Sequence, residues 1–205
     1  MIFFVIGVES SGTRLATQLL RSMGLIGQCG HEQSVDAWIN DLGNMDNRAA
    51  WQKYARDNNI VVRRSIPHAC SIPDFKDILA GIEDVSYPVF TIRSTPTTLE
   101  SMIDSGHASS YDTALAKIRE GQRCMARFLA QWEGPFSFIS YGGLVLHTKA
   151  SIECLYEQMK SFCPSLNYPT FQDIRPEAEN TRSEAFLSHS ENYFLDSRAR
   201  TRVVY

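Results

Sequence analysis

The chain has 205 residues, of which 43% are hydrophobic and 21% charged, so it is long enough for one domain with a full hydrophobic core. Its formal net charge of −3 excludes the overall positive field of a nucleic-acid-binding domain, so any anion site has to be built locally. No apolar run reaches the ~18 residues that a membrane-spanning helix needs. We therefore expect a single domain over residues 1–205 that neither binds nucleic acid nor spans a membrane.

The five cysteines are odd in number and show no C-x-x-C spacing. That pattern argues against a disulfide scaffold and against a zinc site. The first residues, MIFFVIGVE, lack the basic start of a signal peptide and have the composition of a buried strand. We expect a cytoplasmic protein with reduced thiols and no metal site.

Taken in chain order, apolar β-rich segments alternate with segments of helical period. The strands are predicted at Ile2–Val8, Ile60–Arg64, Tyr87–Arg93 and Phe136–Tyr141. Helices are predicted at Thr13–Met23, Ala37–Asn58, Phe75–Ile82, Thr97–Asp104, Tyr111–Trp132 and Ser151–Phe162. This alternation predicts an α/β fold, a three-layer sandwich in which helices cover both faces of a central, mainly parallel sheet.

The turn after the first predicted strand has the glycine spacing of a phosphate-binding loop. In IGVESSGTRLATQLL, residues 6–20, Gly7 and Gly12 match the G-x-x-x-x-G part of the P-loop pattern. The small residues Ser10, Ser11 and Gly12 let the backbone curl so that several N–H groups face one anion, and the following helix adds a favourable dipole. The fold prediction is therefore P-loop NTPase-like.

The same loop lacks the lysine that follows the second glycine in nucleotide-hydrolysing proteins, because Thr13 stands at that position. No later predicted strand ends in an aspartate suited to Mg²⁺: the third ends in Arg93 and the fourth in Tyr141-Gly142. Phosphoryl transfer relies on a metal ion to neutralise charge. The pattern points away from an ATPase, although a P-loop nucleotide or small-molecule kinase remains an alternative.

The segment Ser10-Ser11-Gly12-Thr13-Arg14 resembles the 5′-phosphosulfate loop of sulfotransferases that use 3′-phosphoadenosine 5′-phosphosulfate (PAPS). That family has a basic residue followed by S-G-T-T or S-G-T-S. In this chain Ser10 replaces the basic residue and Arg14 replaces the second hydroxyl residue. The resemblance implies that these residues hold the 5′ side of PAPS, with Arg14 either a charge partner there or a structural residue on the helix surface.

A second segment is similar to the same family, in which a strand ends in arginine and a serine follows eight positions later. Here Arg93 closes YPVFTIR, and Ser101 lies eight residues further on. The resemblance implies that both residues bind the 3′-phosphate, for which an arginine fork is well suited.

The resemblance also implies a general base that takes the acceptor's proton, and three residues are candidates. His31 and Glu32 lie in SMGLIGQCGHEQS, where some bacterial family members have a glutamate. His68 lies in RRSIPHACS, close to where cytosolic members have a catalytic histidine. Histidine suits the task near neutral pH, whereas a glutamate needs burial to raise its pKa.

Several residues outside these motifs have open interpretations. Glu9 is unusual beside an anion and either orients Arg14 or an acceptor, or points away; His107 is interpreted as a surface residue. Of Arg63 and Arg64, at most one faces the ligand edge, because side chains alternate along a strand. The aromatic residues Trp38, Trp51 and Tyr54 belong either to an acceptor site or to the core.

The function implied by the resemblance is metal-independent transfer of a sulfuryl group from PAPS to a hydroxyl or amine, leaving adenosine 3′,5′-bisphosphate. The acceptor would be a small molecule, a carbohydrate or a lipid. The alternatives are a P-loop kinase and a catalytically inactive nucleotide-binding module.

Overall fold

The structure is a computed structural model that describes residues 1–27, 58–66 and 81–169. These residues contain a five-stranded sheet of order β2-β3-β1-β4-β5, in which every pair of neighbours is parallel. The strands are β1 (Ile2–Val8), β2 (Ile26–Gly27), β3 (Ile60–Ile66), β4 (Ser86–Ile92) and β5 (Ser137–Ser140). The described helices are α1 (Thr13–Ser22), α2 (Thr95–Asp104), α3 (Tyr111–Leu129), α4 (Tyr141–Leu146) and α5 (Thr148–Lys160), with a 3₁₀ turn at Glu83–Val85.

Strand β1 lies at the centre of the sheet, and each of its residues is buried. A strand covered on both faces needs a continuous apolar run rather than an alternating one, and IFFVIGV supplies it. Successive side chains point to opposite faces, so Phe3 and Val5 enter one core while Ile2, Phe4 and Ile6 enter the other.

Helices complete a layer on each face of the sheet. Leu15 and Leu19 of α1 and Leu155 and Met159 of α5 pack on the face that contains Phe3. On the opposite face, α3 contributes Cys124 and Phe128. The predicted α/β fold with three layers and a parallel central sheet is confirmed.

The four predicted strands and the four helices predicted within the described residues lie within a few residues of their observed positions, but three elements were not predicted: β2, α4 and the 3₁₀ turn at Glu83–Val85. Strand β2 has only two residues, too few for a hydrophobic pattern. Helix α4 contains Gly142-Gly143, which have low helix propensity, and it is started by the Ser140 hydroxyl, which accepts a bond from the Gly143 N–H at 3.1 Å. The helix predicted at Ala37–Asn58 and most of that at Phe75–Ile82 lie outside the described residues.

None of the helices within 1–27, 58–66 and 81–169 is long and apolar enough to cross a membrane. Of the cysteines in these ranges, Cys124, Cys154 and Cys163 are free thiols. The prediction of a single domain over 1–205 stays a prediction.

The buried hydroxyl of Tyr87, a residue of β4, links this strand to the edge strand β5. Its ring lies 5.4 Å from the rings of both Phe3 and Phe162, and its hydroxyl is 2.7 Å from Ser137 Oγ. Burial raises the pKa of the Tyr87 phenol, and the bond to Ser137 offsets part of that rise. Because Ser137 also donates to Gln158 Oε1 at 3.1 Å, its hydroxyl keeps a partner when Tyr87 is replaced by phenylalanine.

The raised pKa predicts that Tyr87 stabilises the fold below its unfolded pKa of about 10 and that this contribution disappears as the pH rises further. The unfolded chain releases the phenol proton at a lower pH than the folded chain does, so alkali favours unfolding. We expect Tyr87→Phe to lose less stability than the natural chain between about pH 8 and pH 11, as measured by urea unfolding. Tyr111→Phe, at a tyrosine that is 61% exposed, is the matched control. Equal alkaline losses in all three proteins would contradict the prediction.

Candidate functional site

The candidate site begins where β1 ends, at the carboxyl edge of the parallel sheet. Gly7 of β1 is in register with Ser65 of β3 and with Thr91 of β4. Because parallel strands all end at the same edge, the loop after β1 lies beside residues from both neighbouring strands. Residues that follow different strands of the sheet are therefore brought together at this edge.

The loop turns sharply at two residues with left-handed backbone conformation. Ser10 has φ 65° and Gly12 has φ 97°, and the Ser11 N–H donates to the Val8 carbonyl at 2.9 Å. Glycine adopts such a φ readily, whereas for serine it costs roughly 1–2 kcal/mol. Surrounding contacts must hold Ser10 in this state, a kind of strain that tends to occur at functional sites.

Two hydroxyl pairs fasten the loop to the neighbouring strands. Ser11 Oγ lies 2.6 Å from Thr91 Oγ1 of β4, and Thr13 Oγ1 lies 2.9 Å from Ser65 Oγ of β3. Ser11 and Thr13 are both buried. These side chains hold the loop in place, which leaves recognition of an anion mainly to backbone N–H groups.

Helix α1 starts directly after the loop and points its N-terminus at the same region. Its cap residue, Gly12, supplies no side-chain capping bond, and its first turn contains no acidic residue. The N–H groups of a first helical turn have no partner within the helix, and the helix dipole makes this end positive. The start of α1 is therefore suited to a negatively charged group.

Arg93, directly after β4, reaches back to the loop. Its Nη1 donates a hydrogen bond to the Ser10 carbonyl at 2.9 Å, and its guanidinium carbon lies 4.3 Å from the centre of the Tyr141 ring. Tyr141 also covers the loop, because a Cβ atom built at Gly12 would lie 2.5 Å from Tyr141 Cδ2. Side chains that follow β4 and β5 thus close over the turn that follows β1.

These groups surround one cavity of about 560 Å³. Its lining brings together Glu9, Ser10, Gly12, Thr13, Arg14, Leu15, Arg63, Ser65, Arg93, Ser101, Ser105, His107 and Tyr141. Three of these side chains are arginines and one is a carboxylate, so the lining is locally cationic although the whole chain carries a net charge of −3. A lining of this charge is suited to an anion, which the overall charge of the chain would not attract.

Glu9 and His107 form a pair inside this cavity. Glu9 Oε1 lies 3.2 Å from His107 Nδ1, and the glutamate side chain is 10% exposed against 42% for the histidine. His107 is exposed, as expected from the sequence, but it lies at the site rather than on a remote surface. No motif or spacing linked the two residues, because a turn after α2 brings them together.

The cavity contains most of the residues that the sequence singled out for cofactor binding. The cavity is lined by Ser10, Gly12, Thr13, Arg14, Arg93 and Ser101. Ser11 is buried, and its hydroxyl contacts Thr91. Arg63 lines the cavity as well, and the expectation that at most one of the two adjacent arginines faces the site stays a prediction.

The three candidate bases, His31, Glu32 and His68, lie outside the described residues, as do Trp38, Trp51 and Tyr54. Their roles stay predictions. Within the described ranges, no group of three or more histidine, cysteine, aspartate or glutamate side chains is placed to hold a metal ion.

The parallel sheet, the glycine loop after β1 and the helix that follows form an α/β fold that is P-loop NTPase-like. No family model matches the sequence, and no curated protein matches it. Seven chains of solved structures are similar to it. One is shikimate kinase from Bacteroides thetaiotaomicron, with 15% identity and a TM-score of 0.48 over 78% of this chain and 98% of that chain. A likeness at this level assigns no function.

Gly7 is a position where the site depends on the absence of a side chain. A Cβ atom there would lie 1.9 Å from Thr91 Oγ1, 2.5 Å from Ser11 Oγ and 2.8 Å from Thr13 Cγ2. We expect Gly7→Ala to separate the hydroxyl pairs that hold the loop and to lower stability by about 1–3 kcal/mol, as measured by urea unfolding. In the sulfotransferase interpretation of the sequence, the affinity for adenosine 3′,5′-bisphosphate, measured by calorimetry, should fall as well.

The control for this variant is Gly81→Ala, at φ 81° with open space around the added methyl group. Backbone strain there costs roughly 1–2 kcal/mol but lies away from the cavity, so binding should be retained. Equal effects of the two variants on binding would show that the loop does not depend on close packing at Gly7.

Proposed function

We propose that the protein is a PAPS-dependent sulfotransferase. The observation that carries this proposal is the contact between Arg93 and the loop. Two segments that are distant in sequence, each matching one half of a PAPS site, meet at one cavity through the bond from Arg93 Nη1 to the Ser10 carbonyl. Ser101, the partner expected for Arg93 on the 3′-phosphate, lines the same cavity.

The distribution of charge in the cavity suits a donor that is anionic at both ends. In the proposed arrangement the start of α1 and Arg14 hold the 5′-phosphosulfate, while Arg93 and Ser101 hold the 3′-phosphate. Arginine binds phosphate through a planar fork, which a single lysine cannot reproduce. A volume of about 560 Å³ lies within the ~300–1,000 Å³ typical of small-molecule sites.

In the proposed reaction an acceptor oxygen or nitrogen attacks the sulfur in line with the bridging oxygen of PAPS. The new bond to sulfur forms as the sulfur–oxygen bond breaks, and negative charge develops on the 5′-phosphate of adenosine 3′,5′-bisphosphate. In this proposal that charge is stabilised by the N–H groups at the start of α1 and by the Arg14 guanidinium, which lines the same cavity. The acceptor is a small molecule, a carbohydrate or a lipid.

A P-loop kinase is the second candidate, and one observation favours it. The Glu9 carboxylate and the Thr13 hydroxyl line the same cavity, and oxygen atoms of these kinds are the ligands that Mg²⁺ prefers. Against it, Thr13 occupies the position where the P-loop has lysine. A catalytically inactive nucleotide-binding module is the third candidate.

Thermal unfolding with different nucleotides separates these candidates. A ligand at one hundred times its Kd stabilises a protein by about 2.7 kcal/mol, which raises Tm by several degrees in a chain of this size. We expect this shift with adenosine 3′,5′-bisphosphate in the absence of metal. Arg93→Ala should abolish it, whereas Arg119→Ala, at an exposed arginine of α3, should retain it.

Stabilisation by ATP only when Mg²⁺ is present would contradict the sulfotransferase and favour the kinase. If the bisphosphate stabilises the protein but label from PAPS reaches no alcohol, phenol, amine, sugar or lipid in a broad acceptor panel, the inactive module is favoured instead.

A further inference from the structure

We propose that His107 is the general base of this site and that Glu9 is its positioning residue. This inference rests on the proposed function and adds a catalytic pair that the sequence motifs do not contain. Glu9 Oε1 and His107 Nδ1 are 3.2 Å apart, and both residues line the cavity that holds Gly12, Arg14 and Arg93.

Glu9 is fixed by the sheet. It follows β1 directly, and its N–H donates to the Ile66 carbonyl at 3.0 Å, which continues the contact between β1 and β3 by one residue. The residue as a whole is 8% exposed. Its carboxylate therefore has a defined position beside the loop, with little freedom to move into solvent.

His107 is fixed through its main chain. Its N–H donates to the Met102 carbonyl at 2.8 Å, and its own carbonyl accepts a bond from Lys117 Nζ at 2.5 Å. The first bond fastens the residue to the end of α2 and the second to α3. These two bonds fix the backbone of His107, so its imidazole moves only through its side-chain torsions, and it contacts Glu9.

The carboxylate determines which imidazole nitrogen is available for chemistry. A carboxylate next to Nδ1 favours the tautomer in which Nδ1 carries the proton and donates to it, which leaves a lone pair on Nε2. With 42% of the side chain exposed, the imidazole remains accessible to an acceptor that enters the cavity. This is the arrangement that a general base requires.

In the proposed step Nε2 takes the proton from an acceptor hydroxyl as its oxygen bonds to sulfur. The bond between sulfur and the bridging oxygen breaks, and its electron pair leaves with adenosine 3′,5′-bisphosphate. The proton resides on the imidazolium, which the Glu9 carboxylate stabilises, and is later released to water. Atoms and charge balance without a metal or a redox partner.

The activity test compares two histidines. His107→Ala should lower kcat for sulfuryl transfer from labelled PAPS to simple alcohols by about 100-fold or more, while the Kd for adenosine 3′,5′-bisphosphate changes little. Added imidazole should restore part of the lost rate. His147→Ala, at an exposed histidine outside the cavity lining, should have the natural rate. An unchanged kcat in His107→Ala would overturn the inference.

A second measurement tests the contact between Glu9 and His107 without relying on activity. Nitrogen-15 NMR of the histidine side chains, with His107 assigned by its loss in His107→Ala, should show the neutral ring protonated at Nδ1. Glu9→Gln should shift this signal and lower kcat in the same direction as His107→Ala. A neutral ring protonated at Nε2, or a signal that Glu9→Gln leaves unchanged, would contradict the proposed roles of His107 and Glu9.

The two proposals fail in distinguishable ways. If the natural chain neither binds the bisphosphate nor transfers label from PAPS, the proposed function is wrong and the catalytic role of His107 falls with it. If the natural chain transfers sulfate and His107→Ala does so equally well, only the role of His107 is wrong. If Glu9→Gln removes stabilisation by ATP with Mg²⁺ while His107→Ala does not, Glu9 is a metal ligand instead.

Discussion

The hydrogen bond from Arg93 Nη1 to the Ser10 carbonyl is the interaction on which the site depends. It joins the end of β4 to the loop that follows β1, at a serine whose φ of 65° is unfavourable without support. The Tyr141 ring packs against the same guanidinium and against Gly12. Backbone strain in the loop is therefore offset by contacts from two later segments of the chain.

The register of the sheet makes this arrangement possible. Gly7 lies level with Ser65 and Thr91, so the loop passes directly between the ends of β3 and β4. The Ser11–Thr91 hydroxyl pair and the methyl group of Thr13 fill the space that a side chain at Gly7 would occupy. A rigid loop of this kind holds its N–H groups in place before a ligand arrives, which reduces the entropy that binding costs.

Much of the fold and part of the site could be predicted from local sequence patterns. The continuous apolar run of β1 and the period of α1 predicted a strand before the loop and a helix after it, and the resemblance to a PAPS site implied that Arg93 lies near the loop. The Glu9–His107 pair and the Tyr141 contact could not be predicted in this way, because they depend on the turn after α2 and on a short helix containing Gly142-Gly143. The loop motif also does not distinguish sulfuryl transfer from phosphoryl transfer. The start of a helix binds a sulfate group and a phosphate group through the same N–H groups.

The central claim is that the turn at Ser10–Thr13 and the Arg93 guanidinium bind opposite ends of one nucleotide. A crystal structure of the chain with adenosine 3′,5′-bisphosphate tests this most directly. The account predicts one phosphate within hydrogen-bond distance of the N–H groups at the start of α1, and the other within hydrogen-bond distance of Arg93 and Ser101. A nucleotide bound outside this cavity, or bound with both phosphates away from Arg93, would contradict it.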